Sequence, residues 1–214
     1  MIRRLTPILL ISFSLFIVNS LYAKSPKSVL KDIKKNYNKI QTLDADFTEI
    51  FEWAMTGEKT QRDGSLYVTV DDRFRIETPE QHLVCDGDAI YRYNLKKAQV
   101  IIEPITEGSD KMLPRRLMLR FADDFNAQEM TKQAVNGEEG LRLDLLPKSR
   151  EEVLLSEVTI WVTVKDMIVH RLKVIDLNGN STIYIFSNIR VNSTQDTDHT
   201  KFICPDGVEL FDLR

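Results

Sequence analysis

From Asp44 onward the apolar residues of this chain recur mostly at every second position, a spacing that suits an extended strand with one buried face. Phe47, Phe51, Trp53 and Met55 alternate with more polar neighbours. Leu66, Val68 and Val70 oppose Ser65, Tyr67 and Thr69, and Phe74 and Ile76 are flanked by Arg73, Arg75 and Glu77. Asp86-Gly87 and Asn178-Gly179 are tight-turn dipeptides between such runs and read as hairpins. With the runs near 98–103, 129–135, 141–146, 155–164 and 201–204, the total is about eleven short strands, joined mostly by connections too brief for crossover helices. The chain is therefore expected to be mainly β, with one continuous antiparallel sheet.

Two segments break the alternation. Ser25 and Pro26 form a cap and first-turn pair, after which Leu30, Ile33, Tyr37 and Ile40 recur at helical spacing opposite a face of lysines. Met112, Leu113, Leu117, Met118 and Phe121 fit a second helical stripe that can start at Pro114. A barrel of about eight strands fills with its own side chains, whereas a larger one leaves space inside. The expectation is an incomplete antiparallel barrel with a hollow, and the two amphipathic helices are the segments able to cover it. On the pattern alone, a two-sheet sandwich with the same residues packed against one another is the preferred alternative, since periodicity does not separate core from cavity lining.

Residues 1–23 run from Arg3 and Arg4 through an apolar stretch, Ile8 to Val18, to Ala23, and read as a cleavable secretory signal. No cysteine lies near the cut, so lipid modification of this chain is not expected. Residues 24–214 then suit a single domain. In an oxidising compartment Cys85 and Cys204 could bridge, closing a long loop, or remain two buried thiols. The formal net charge of −3 and the lack of a basic run argue against nucleic acid. His82, His170 and His199 are too scattered for a metal site, and no nucleophile elbow or glycine-rich phosphate loop occurs. No catalytic residue, metal or cofactor is therefore assigned.

Several motifs stand in a particular order: Asp46-Phe47-Thr48-Glu49 after the first helix, Gly64-x-Leu66-x-Val68, Phe74-x-Ile76, Val84-Cys85-Asp86-Gly87-x-x-Ile90-Tyr91-x-Tyr93-Asn94, Asp176-x-x-Gly179-Asn180, and Phe202-x-x-Pro205-x-Gly207-Val208. In that order they resemble the periplasmic outer-membrane lipoprotein carrier family, LolA, over nearly all of the chain after residue 23. The resemblance implies an incomplete barrel with a helical lid, residence in the periplasm, no enzymatic activity, and the shielding of lipoprotein acyl chains between an inner-membrane ABC transporter and an outer-membrane receptor. By similarity Phe74 and Ile76 take inward-facing positions near the cavity rim and Phe47 lies beneath the lid; together with the alternating Phe51, Trp53, Leu66, Val68, Val70 and Ile90 they make the expected cavity, and the helical stripes supply the expected lid residues Leu30, Ile33, Tyr37, Leu117 and Phe121, in a monomer. Where the family pattern has an Arg-Pro pair whose Arg holds the lid, this chain has Val70-Asp71. That departure keeps open a carrier of another lipid or glycolipid, and the same sheet architecture, which also serves periplasmic sensors, keeps open a lipid-sensing regulatory module.

Overall fold

The computed structural model describes residues 24–106, 121–149, 154–193 and 197–214. The expected signal segment, Leu117 and most of the second helical stripe lie outside these residues. Helix α1 (Pro26–Tyr37) begins where the sequence places it: Ser25 caps it, its Oγ accepting from the Ser28 N–H at 3.2 Å, and Pro26 opens the first turn. The strands are β1 (Thr42–Glu52), β2 (Lys59–Thr69), β3 (Phe74–Glu77), β4 (Gln81–Cys85), β5 (Ala89–Asn94), β6 (Gln99–Pro104), β7 (Phe125–Lys132), β8 (Gly140–Pro147), β9 (Leu155–Thr163), β10 (Val169–Asp176), β11 (Ser181–Val191) and β12 (Glu209–Asp212).

All twelve belong to one sheet in the order β12-β6-β5-β4-β3-β2-β1-β11-β10-β9-β8-β7, and among the described residues β12 and β7 are its edges, so the sheet is open. Every pairing is antiparallel except β12 with β6, which is parallel. The expected strand near 201–204 is not there. That stretch runs without regular structure across the face opposite α1, where Phe202 stacks on Tyr91 at 4.8 Å and Val208 packs near Val100 and Ile102. Arg75 ties it down by donating to the backbone carbonyls of His199 and Lys201 at 2.6 and 3.0 Å. A chain returning over a sheet face can enter beside β6 in either direction, so the all-antiparallel expectation fails only here.

Both predicted hairpins form. Gly87 and Gly179 take φ of 100° and 84°, and the Asp176 carboxylate accepts from the Asn178 and Asn180 backbone N–H groups. The first strand, however, stops at Glu52. Trp53 and Met55 belong to the turn into β2, 48% and 98% exposed, because Gly57 at φ 68° reverses the chain. The alternation of apolar residues simply continued past the strand end.

The helix-bearing face of the sheet has two unlike halves. Over β7 to β10 it is solid: Val29, Leu30, Ile33 and Tyr37 of α1 pack with Phe121 and Phe125 onto Leu143, Ile160 and Leu172, consecutive neighbours across β8, β9 and β10. Residues 121–124 are helical, and Lys34 of α1 reaches Asp123 there at 2.5 Å. Tyr37 fixes the far end of α1, its hydroxyl accepting from the buried Val169 N–H at 3.1 Å. Over β11, β1, β2, β3 and β4 no helix covers the same face in the described residues.

Candidate functional site

Strand register builds this uncovered half row by row, because residues directly opposite one another share a face. One row runs Leu43, Val68, Phe74, Cys85, Ile90 across β1 to β5, and the next Ala45, Leu66, Ile76, Leu83, Arg92. Beyond them come Phe186, Phe47 and Gly64, then Tyr184, Glu49 and Arg62. These rows enclose an open cavity of about 450 Å³, closed at the α1 end by Tyr37, Ile40 and Gln41. Its wall is predominantly apolar, and its size falls within the ~300–1,000 Å³ of ordinary small-molecule sites.

Of the residues named from sequence, Phe47, Leu66, Val68 and Ile76 line this cavity. Phe74 and Ile90 share its face but are buried, Phe74 at 2% exposure, in a packed cluster with Val68 and Cys85. Phe51 lies toward the hairpin, edge-on to Trp53 at 4.7 Å, and Val70 sits in the turn after β2, its N–H donating to the Gln41 carbonyl at 2.7 Å. Neither of these, nor Trp53, reaches the cavity wall. Among the lid residues, Leu30, Ile33 and Phe121 lie in the solid half, and Tyr37 meets both halves. The structure leaves both thiols free: Cys85 is buried in the Phe74 cluster, its thiol pKa raised by desolvation, while Cys204 is exposed. The possible bridge is thus not formed, since one sulfur is packed into the sheet interior and the other is held outside it.

Gly64 explains how Phe47 reaches the wall. A Cβ at Gly64 would stand 2.5 Å from Phe47 Cζ and collide with the Glu77 carbonyl, so only a bare backbone lets the ring lie over β2. Gly64→Ala is therefore expected to lower stability in urea titration by roughly 1–3 kcal/mol, as overpacking does. An unchanged midpoint would mean the ring does not depend on that gap.

Tyr184, Phe186, Leu83, Arg92, Glu49 and Arg62 line the cavity without having been picked out from sequence. In β11, Tyr184 and Phe186 alternate with Ile183 and Ile185, so apolar residues occupy both faces and period alone could not choose the inner one. Glu49 and Arg62 share parity with Phe47 and Leu66, a signal that their charge obscured. They form a 2.8 Å ion pair, and Tyr184 stands directly opposite Glu49 on β11. Desolvation by burial, with Glu49 beside it, pushes the Tyr184 pKa up to about 12, so the phenol keeps its proton at neutral pH. Where the family's Arg-Pro pair would stand, Thr69, Asp71 and Arg73 bond among themselves. The Asp71 carboxyl is partly desolvated, but its bonds to Thr69 and Arg73 hold it below the usual range. Among the described residues, no group of His, Cys, Asp or Glu is arranged to hold a metal ion, and no helix is long and apolar enough to cross a membrane.

Comparison with known proteins agrees with this geometry. An outer-membrane lipoprotein carrier protein of Azotobacter vinelandii is 22% identical over 213 residues, 97% of this chain and 98% of its own. An uncharacterized conserved protein from Thermus thermophilus shares the fold with a TM-score of 0.56 at 12% identity, covering 88% of this chain and 99% of that one. The Mycobacterium tuberculosis lipoprotein LppX does so with a TM-score of 0.51 at 10% identity, over 81% and 98%. The sequence model described as "Outer membrane lipoprotein carrier protein LolA" matches residues 38–203, so the chain belongs to that family.

Proposed function

We propose that this protein is a periplasmic carrier that shields the acyl chains of lipoproteins and moves them from the inner to the outer membrane. The observation that carries this reading is the open apolar cavity on the helix-bearing face of the sheet. At ~0.8 kcal/mol per buried methylene, a single long acyl chain left in water costs on the order of 10 kcal/mol, so transit between membranes requires cover. The half-buried floor at Leu66, Ile76 and Leu83 offers it. In this reading residues 1–23 direct export, residues 24–214 form one monomeric carrier domain, an inner-membrane ABC transporter loads it and an outer-membrane receptor unloads it.

Native mass spectrometry of the protein recovered from its own envelope tests the proposal. Acylated polypeptides are expected as bound mass, and recovery of protein that carries no lipid under any mild extraction would overturn it. A second reading, another lipid or glycolipid as cargo, is favoured by Val70-Asp71, where Asp71 pairs with Thr69 and Arg73 instead of an arginine reaching a lid. Bound mass without a peptide would select that reading.

A further inference from the structure

An apolar wall is enough to shield hydrocarbon, yet this cavity ends in the charged row Tyr184, Glu49, Arg62, set directly opposite one another across β11, β1 and β2. An ion pair taken partly out of water costs desolvation that a row of leucines would not, so it contributes little as a device for stability. Its arrangement leaves one member available. Glu49 is largely covered and accepts from Arg62, while the Arg62 side chain remains 48% exposed and, among the described residues, gives one hydrogen bond, to Glu49. A guanidinium has five N–H donors, so Arg62 keeps several that point to no protein acceptor. Glu49 holds the fork in place, with Tyr184 packed directly across from it. The adjoining row is Phe47 and Phe186, the start of the apolar wall.

We propose that Arg62 is a recognition residue for the carbonyl oxygen at the head of an acyl chain, the ester or carboxylate that joins hydrocarbon to the rest of the molecule, with the chain itself lying along Phe47, Leu66 and Ile76. This rests on the carrier reading and adds what the cavity selects: an acyl compound over a plain hydrocarbon, with its polar junction at the hairpin end of the cavity and its tail toward Tyr37. The row Tyr184, Glu49, Arg62 thereby sets the direction in which cargo lies.

The test uses diphenylhexatriene, a neutral fluorescent hydrocarbon, displaced from the protein by hexadecane, methyl palmitate or palmitate. Each ligand is compared with itself across proteins. In Arg62→Met, and in the double variant Glu49→Gln with Arg62→Met that leaves no unpaired charge, palmitate and methyl palmitate should weaken about 10-fold or more, the loss of a hydrogen bond to a charged group. Hexadecane and the probe should change by less than about 2-fold, as groups without an acceptor oxygen. Equal loss for ester and acid assigns the carbonyl oxygen, and loss for palmitate alone assigns a free fatty acid as its source. Unchanged affinity for both in both variants overturns the inference while leaving the carrier reading intact, as does a matching loss for hexadecane. Absence of probe binding to the wild-type protein would overturn the carrier reading and this inference with it.

Discussion

Replacing Leu66 with aspartate is expected to weaken binding of diphenylhexatriene, or of any long-chain acyl probe, by at least about 100-fold, while unfolding free energy falls by no more than about 1 kcal/mol. The asymmetry comes from where Leu66 stands. Leu66 is only half-buried, in the middle of the cavity floor between Ala45 and Ile76, so a carboxylate there can stay hydrated when nothing is bound. Cargo would cover that position and strip the water away. Burying an unpaired charge costs several kcal/mol unless it neutralises, and the penalty falls on the filled state alone. Fluorescence titration measures the affinity and urea denaturation the stability. Unchanged affinity would place the hydrocarbon elsewhere on the protein.

The neighbouring position Phe74 gives the opposite expectation, and the contrast shows what sequence could and could not tell. Phe74 and Ile76 read as equivalent inward-facing residues two apart on one strand. They do share a face, but Phe74 is nearly inaccessible in its cluster with Val68, Cys85 and Ile90, whereas Ile76 meets the cavity. Alternation reports which side of a sheet a residue faces and is silent about what lies against that side. The same silence concealed the division of the helix-bearing face. The apolar stripe of α1 identified a helix with one side to bury, but not that it would fill the space over β7 to β10 and leave β11 to β4 open.

Local signals served best where chemistry is local. The Ser25-Pro26 start of α1, the Asp86-Gly87 and Asn178-Gly179 turns and the strands between them follow from capping, left-handed glycines and period two. Trp53 and Met55 misled because apolar residues occupy a turn, and Gly57 was the contrary sign. Glu49, Arg62 and Tyr184 were hidden for another reason: each looks ordinary in its own strand, and only the register of three strands, with β11 more than 110 residues beyond β2 in sequence, makes them one row.

If the two halves of the face are physically distinct, Leu143→Ala should destabilise the protein without weakening what its cavity binds. Leu143 has no exposed surface, sits between Met130 and Ile160 on adjacent strands, and belongs to the cluster that α1 covers with Val29, Leu30 and Ile33. Truncating such a leucine removes buried hydrocarbon and leaves a void that a sheet flanked by β7 and β9 cannot close, at a cost of roughly 3–5 kcal/mol. Against a typical net stability of ~5–15 kcal/mol that is a large share, and it should appear as a clear fall in the urea midpoint with the slope preserved. Probe affinity per folded molecule should stay within about 3-fold, well under the 1.4 kcal/mol that a tenfold change requires, because the floor at Leu66 and Ile76 lies beyond β11. A loss of less than about 1 kcal/mol would deny that Leu143 is close-packed. A large drop in probe affinity would instead mean that α1, through Tyr37 and Ile40 at the cavity end, transmits the core defect to the wall, and the two halves would then have to be treated as one coupled unit.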